Sequence, residues 1–592
     1  MSPPVDSSVL EVRRTRPQIT VDGTIISPTW MDRLVELRVR TGLRTIGRAS
    51  LTFDDDAYVL ASSDAVGIGS AITISAPGEQ GEVAFFEGSV TSVASESGLG
   101  GARLVVVADD LATSLTRTSD ATTYHDMSLS DVVRKVVTGP LQVGSTTGVP
   151  TTQLPFVLRN GTPLGLIDEI AERYGLDWIV TAKKLDLWDA STGTVPGSSA
   201  VSLELPDRLM SFAVRQVGDA PTDVTVRGWD PQRQEAVVGT ASSPASRTPV
   251  VPTNKDGARN IRTDTRISLS SATEATELAK GIAARTGRVL AQGRALITPE
   301  LRPGGTVTID GTGPGNGTYY VREVTHVFAA GGAYTTFVAG DRDPIRLSDP
   351  WDQRAAASSF VHTGLVVGVV DGLKDPEALG RVSVSLQTAD PQAKSAWARV
   401  LAVGAGAGRG QVSLPSVGDE VLVGFENDDV ARPVVLGGLF GTKSTAPSTP
   451  VLDDGKVVGH VIRTDSGHLI HLSEGQGDSS SFIQLLAAGE KQTLKLGKTG
   501  VELTADGDVP LKITVGSSSM VFDGKGAVTI KGSTITLDAT EKVVVKAVQT
   551  VDVNATSELK LQGATASLKG QGKATVEAGG ILEVKGTMVK IN

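Results

Sequence analysis

From Ile530 to Ile591 an apolar residue returns every seven or eight positions: Ile530, Leu537, Val545, Val553, Leu561, Leu568, Val576, Val584 and Ile591. An α-helix repeats at 3.6 residues, and a hairpin meander does not hold one interval for sixty residues. A solenoid that adds one short strand per layer does. Val528-Thr529-Ile530 and Ile535-Thr536-Leu537 alternate apolar and polar residues as a strand requires, and Gly, Lys, Asp or Thr follow where the chain must turn. The only aromatics from Gly459 onward are Phe482 and Phe522, too few large side chains to fill the lumen of a single-chain solenoid. The expectation is therefore a thin prism in which three copies share one apolar axis, with Ile530, Leu537, Val545, Val553, Leu561, Leu568, Val576 and Val584 packed along it.

The rest of the chain is too long for one core. At 592 residues it needs several domains. Its formal charge is −10, with 66 acidic against 56 basic residues and no basic run, so a nucleic-acid partner is excluded on electrostatic grounds. With no cysteine, the fold must hold by burial and strand pairing. The start of the chain carries Arg13, Arg14 and Arg16 but no apolar segment of signal-peptide length behind them, and no apolar run elsewhere matches a bilayer. These features predict synthesis and assembly in the cytoplasm and no integral membrane segment.

The patterning is mainly β. Short strands are predicted at 35–39, 49–53, 71–74, 84–90 and 103–108. Ser128 with Asp131, Thr162 with Pro163, and Ser271 with Glu274 predict the starts of three helices, and Gly175 and Gly287 predict two of their ends. Leu164, Ile167, Ile170, Ala171 and Tyr174 form one buried stripe, and Leu278, Ala279 and Ile282 another. Strands at 177–180 and 185–188 complete a pair of barrels with inserted helices. Five strands at 364–370, 381–386, 396–400, 420–425 and 432–436 predict a small OB-type barrel. The domains expected are 1–350, two barrels with helical insertions; 351–362, a linker; 363–440, the OB barrel; 441–458, a second linker; and 459–592, the trimeric β-helix.

The OB segment resembles that of VgrG-type spikes, the central baseplate spikes of contractile phage tails, type VI secretion systems and extracellular contractile injection systems. The residues that carry the likeness are Asp375-Pro376, Gly380-Arg381-Val382, Trp397-Ala398-Arg399-Val400, Leu414-Pro415, Val417-Gly418-Asp419-Glu420-Val421-Leu422-Val423 and Arg432-Pro433-Val434-Val435-Leu436-Gly437. Thr464-Asp465-Ser466-Gly467-His468-Leu469-Ile470 is similar to the entry into the spike's β-helix. Phe86-Glu87-Gly88-Ser89-Val90, Ala108-Asp109-Asp110-Leu111 and residues 154–175 are similar to the hub of the same family, two barrels per chain in a pseudo-sixfold ring.

The resemblance implies a structural homotrimer that joins inner tube and baseplate proteins at the hub to a membrane-piercing tip. It also implies a PAAR-type tip protein seated on Met588, Val589, Ile591 and Asn592, and only transient contact with a target membrane. The particle is either retained in the cell or released. About twenty residues separate Gly437 from Gly459, and the chain stops one residue after Ile591, so neither a lysozyme insertion nor a terminal effector is expected. Trp397 and Arg399 are expected to sit where the OB domain joins needle and hub, with core packing the plainer role for Trp397. At roughly 4.8 Å per layer, about thirteen layers give a needle on the order of 60 Å, longer than a bilayer's hydrocarbon core.

No catalytic, cofactor or metal site is expected. Gly404-Ala405-Gly406-Ala407-Gly408-Arg409-Gly410 places Arg409 where a dinucleotide loop needs its third glycine. Gly497-Lys498-Thr499 lacks the first glycine of a P-loop, replaced by Gln492, and reads as a turn. His468 and His471 stand three apart in a strand and diverge, and Ser466 with His468 has no acid placed beside it. Asp453-Asp454-Gly455 and Asp506-Gly507-Asp508 lack the remaining ligands of a calcium loop. The readings from other classes are a trimeric fibre that binds a receptor or glycan, which needs exposed aromatics on its shaft, and a peptidoglycan hydrolase, which needs a carboxylate pair. A third alternative is a type VI secretion VgrG proper.

Overall fold

The computed structural model describes residues 16–591 except 190, 192, 196, 199, 217–220, 231–233, 244–259, 266–268, 270, 286, 288, 342–363, 387–393 and 450. The linker expected at 351–362, the Asp349-Pro350-Trp351 segment before it and the tip residue Asn592 therefore lie outside the described residues. The chain divides into two compact units, Met1–Ala446 and Pro447–Asn592.

The first unit is built on a thirteen-stranded sheet. The two predicted barrels share this sheet, because strand Gly317–Ala329 is long enough to pair antiparallel with Gly332–Gly340 on one side and with Leu34–Gly42 on the other. Two apolar clusters pack on it. One contains Ile19, Leu37, Leu51, Phe53, Ile74 and Leu104; the other contains Leu203, Leu209, Val307, Ile309, Tyr319 and Phe337. All five strands predicted in the first third are present, the longest extended to Gly81–Gly98.

Four α-helices are described: α1 Pro28–Met31, α2 Leu129–Val136, α3 Pro163–Tyr174 and α4 Ala272–Arg285. The predicted caps form as the side chains dictate. Ser128 Oγ accepts from the Asp131 N–H, Thr162 Oγ1 from Gly165 and Ser271 Oγ from Glu274, each satisfying an orphan donor of the first turn. Gly175 ends α3 at φ 68°, a left-handed conformation that costs glycine nothing, and the N–H of Leu176 reaches back to Ala171 O. Leu164, Ile167, Ile170, Ala171 and Tyr174 are all buried, together with Leu278, Ala279 and Ile282 of α4, in a third cluster around Trp178. α4 ends at Arg285, two residues before Gly287, which sits in an isolated bridge.

The OB barrel has five strands in the order Ser383–Ser385, Val366–Gly372, Glu420–Phe425, Pro433–Gly438, Arg399–Val400. Val370, Val382, Val384, Ala398, Val421, Val423 and Val435 fill it. Its Gly-rich stretch is an exposed hairpin of Ala405–Gly406 on Arg409–Gly410. Trp397 is half-buried and lines, with Phe156, Arg173 and Arg432, a cleft of about 1250 Å³ between the α3 region and the barrel. Arg399 is paired with Glu426.

One loop of the barrel is locked by a single carboxylate. Asp375 accepts the N–H groups of Glu377, Leu379 and Arg381 at 3.1, 2.8 and 3.2 Å, and takes the Arg381 guanidinium at 2.7 Å. That guanidinium, aided by the three N–H donors, holds the Asp375 carboxyl well below the usual carboxylate range. A depressed folded-state pKa means stabilisation that is complete above the unfolded value of about 4 and is lost as pH falls below it. Asp375→Ala strands three N–H groups and leaves the Arg381 guanidinium only Glu377 at 3.3 Å, and we expect it to lower OB stability by about 3 kcal/mol at neutral pH in urea unfolding. Since the variant cannot titrate there, the gap to wild type should narrow below pH 4; a pH-independent gap would show that the ion pair contributes nothing.

Candidate functional site: the apolar faces of the C-terminal strands

Five strands, Gly459–Arg463, Leu469–Glu474, Ser481–Leu486, Gln492–Gly497 and Gly500–Ala505, form an antiparallel meander in which each pairs with the next. Within one chain, then, this stretch pairs by hairpins before the periodic segment begins, a feature the seven-to-eight spacing further on does not reveal. Gly497 pairs with Gly500, so Lys498-Thr499 is a two-residue hairpin turn. The P-loop-like triplet is a turn, as its sequence indicated.

Register settles which residues share a face, since directly paired residues point the same way and neighbours along a strand point oppositely. Ile462, Ile470, Leu485, Leu494 and Leu503 form one unbroken row across all five strands. His460, Leu472, Ile483, Leu496 and Val501 form the next row on the same face. The opposite face carries Val461, His471, Gln484, Lys495 and Glu502 in one row and Arg463, Leu469, Leu486, Thr493 and Thr504 in another. Eight of the nine aliphatics on the first face are among the exposed large apolar residues of the chain, Val501 at 76%.

The next sheet repeats the design. Leu511–Val515, Ser518–Phe522 and Val528–Lys531 pair antiparallel, placing Leu511, Phe522 and Val528, then Ile513, Met520 and Ile530, on one face. Lys512, Val521 and Thr529, then Thr514, Ser519 and Lys531, take the other. Ile530 is thus the one predicted axis residue that lies in a strand. Leu537, Val545, Val553, Leu561, Leu568, Val576 and Val584 are exposed and carry no strand pairing in the single chain, as are Met588, Val589 and Ile591. The structure does not bring these residues together.

His468 and His471 are engaged with different partners. His468 Nδ1 accepts the Ala488 N–H at 3.0 Å, while His471 is buried edge-on against Phe482 at 5.4 Å, with Lys495 over the same ring at 4.2 Å. Among the described residues no group of three His, Asp or Glu side chains is placed to hold a metal, and no helix is long and apolar enough to cross a membrane. The axis expected from Ile530 onward does not include the two rows between Ile462 and Leu503. Their signal was the plain alternation within each strand, for example Leu494-Lys495-Leu496.

With its sheet-built N-terminal part and its OB barrel, the chain resembles VgrG-type baseplate spikes in fold. Residues 366–440 match the type VI secretion system/phage-baseplate injector OB domain, and residues 12–329 match the Alg8 N-terminal domain. As the latter match spans more than half of the sequence, the chain belongs to the Alg8 N-terminal domain family. The type VI secretion system spike protein VgrG3 of Vibrio cholerae is 30% identical over 172 residues, covering 28% of this chain and 16% of that protein, so the chain spans only a small part of that relative's length. The solved Francisella PdpA–VgrG complex shares the fold at a TM-score of 0.50 and 10% identity, over 83% of this chain and 79% of that one. An E. coli protein described as a component of the type VI secretion system aligns at a TM-score of 0.46 and 16% identity, over 71% of this chain and 99% of that one.

Proposed function

We propose that three copies of the chain pack the apolar faces of their C-terminal strands inward, and that the resulting needle is the piercing spike of a contractile injection system. The observation that carries this reading is the pair of aliphatic rows between Ile462 and Leu503. A five-stranded sheet with nine aliphatics on one side, eight of them exposed, is not a stable surface in water, and several strands with one greasy face need a partner surface. Beyond Ile530 the axis continues through Leu537, Val545, Val553, Leu561, Leu568, Val576 and Val584, whose strands close only between chains. Thrust along such a needle is borne by backbone hydrogen bonds shared among three chains.

At the far end, exposed Met588, Val589 and Ile591, with Asn592 beyond the described residues, form the platform for a PAAR-type tip protein that covers the open strand edges. The hub faces the inner tube and baseplate. The role is mechanical and non-catalytic: the short connection from Gly438 to Gly459 leaves no place for an enzyme domain between barrel and needle. The 30% identity to a type VI spike favours a second reading, a type VI VgrG proper, that differs in the machine served and not in the mechanics.

Mass measurement in solution tests the assembly. Three chains of 61.3 kDa give about 184 kDa, and we expect that species to survive mild detergent. A 61.3 kDa particle at micromolar concentration would end the proposal.

A further inference from the structure

Of the five described tryptophans, Trp30, Trp178 and Trp188 are buried and Trp397 is half-buried, whereas Trp229 stands 53% exposed. It belongs to a three-stranded sheet of the first unit, in which Asp223–Asp230 pairs antiparallel with Glu235–Ser242 on one side and parallel with Ile261–Asp264 on the other. One face of this sheet lies under α4, and there Val224, Val226 and Val237 are buried. Register assigns the other face row by row: Trp229 beside Ala236, Arg227 beside Val238, Thr225 between Thr240 and Thr263, and Asp223 between Ser242 and Ile261. That face is open to solvent. Arg227, Ala236, Thr240 and Thr263 are exposed, as are Val238 at 43% and Ile261 at 52%. Among the described residues the Arg227 guanidinium meets no carboxylate, and the hydroxyls of Thr225, Thr240 and Thr263 make no hydrogen bond. The carboxylate on the face, Asp223, accepts from the Thr222 and Ser242 hydroxyls at 3.0 Å each and lies about 13 Å along the strand from Arg227.

We infer that this face binds an acidic polysaccharide, a chain of sugar rings bearing carboxylates. Each group on it matches one part of such a ligand. The exposed indole offers a flat apolar surface to the C–H side of a sugar ring, and the free guanidinium fork takes a uronate carboxylate in two parallel hydrogen bonds. The threonine hydroxyls donate to and accept from sugar hydroxyls. Dimensions favour this ligand over a protein: three strands about 4.8 Å apart and eight residues at about 3.4 Å make a face on the order of 400 Å², half of the roughly 800 Å² per partner that a standard protein complex buries. One polysaccharide strand lying along Asp223–Asp230 needs no more. A nucleic acid does not suit the face, because a single guanidinium cannot neutralise a run of phosphates on a chain of net charge −10. The inference does not depend on the trimer proposed above.

The test titrates the full chain against three fluorescein-labelled hexamers in physiological salt, read by fluorescence polarisation: hexaguluronate, whose rings carry carboxylates; maltohexaose, which is neutral; and hexaglutamate, which has the charge without the rings. Hexaguluronate is expected to bind, and the other two to bind at least about tenfold more weakly, since each lacks one of the two recognised features. Trp229→Ala and Arg227→Gln should each weaken hexaguluronate about tenfold or more while leaving the melting temperature unchanged, because both side chains are exposed. Hexaglutamate bound as well as hexaguluronate would reduce the effect to charge attraction and overturn the inference. Failure of hexaguluronate to bind, or wild-type affinity in Trp229→Ala, overturns it equally. The mass of the assembly is untouched by any of these results, so the spike reading stands or falls by its own measurement.

Discussion

Leu485→Asp is expected to turn the trimer into monomers. Leu485 stands at the centre of the row that runs from Ile462 to Leu503, paired with Ile470 on one side and Leu494 on the other. In the proposed assembly each copy buries this side chain on the shared axis, which contributes about 1.5–3 kcal/mol per copy. The substitution removes that three times over and sets three carboxylates facing one another in a dry core, at several kcal/mol per uncompensated charge. Together these exceed what a marginal assembly spares. The control is Thr504→Asp, on an exposed position of the opposite face of the same sheet, which adds the same charge toward solvent. Sedimentation at micromolar concentration should give about 184 kDa for Thr504→Asp and 61.3 kDa for Leu485→Asp. Equal masses for the two variants would mean that the apolar face is not the interface.

How much of this was legible in the sequence follows from how local each signal is. Helix starts depend on a hydroxyl and an N–H three residues apart, so Ser128, Thr162 and Ser271 announce α2, α3 and α4 directly. The OB strands were legible for the same reason, each being a short β-branched run between turn residues. Pairing between distant segments leaves no such mark. Nothing near Val39 tells it to lie opposite His326, and that register merges two expected barrels into one sheet. The needle face lies between these extremes. Alternation in each strand is visible, yet the rows exist only once Ile470 is known to sit between Ile462 and Leu485, and that depends on turn lengths at 464–468 and 475–480. Beyond Lys531 the single chain pairs no strand, and in the proposed assembly the partners of that segment lie in other copies.

The two compact units are held together by separate contacts, and Gly239→Val exposes the separation. Gly239 lies buried in strand Glu235–Ser242, directly under α4. A Cβ placed there would stand 2.2 Å from the carbonyl carbon of Ala275 and 2.4 Å from its oxygen. Those atoms are helix backbone, so no side chain can rotate out of the way, and accommodating valine means lifting α4 off the sheet. α4 buries Ala275, Leu278, Ala279, Ile282 and Ala283 in the cluster around Trp178, and losing that contact costs more than the ~1–3 kcal/mol usual for overpacking. The hub should therefore lose its cooperative melting transition, read from tryptophan fluorescence, to which the buried Trp178 contributes. No residue of the needle strands belongs to that cluster, and the needle lies in a separate compact unit. Sedimentation of the same sample should still give three chains, because the faces that hold the copies together are intact. If Gly239→Val instead releases monomers, the hub and not the greasy needle is what joins the copies, and the axis through Leu485 and Ile530 loses its claim to be the primary interface.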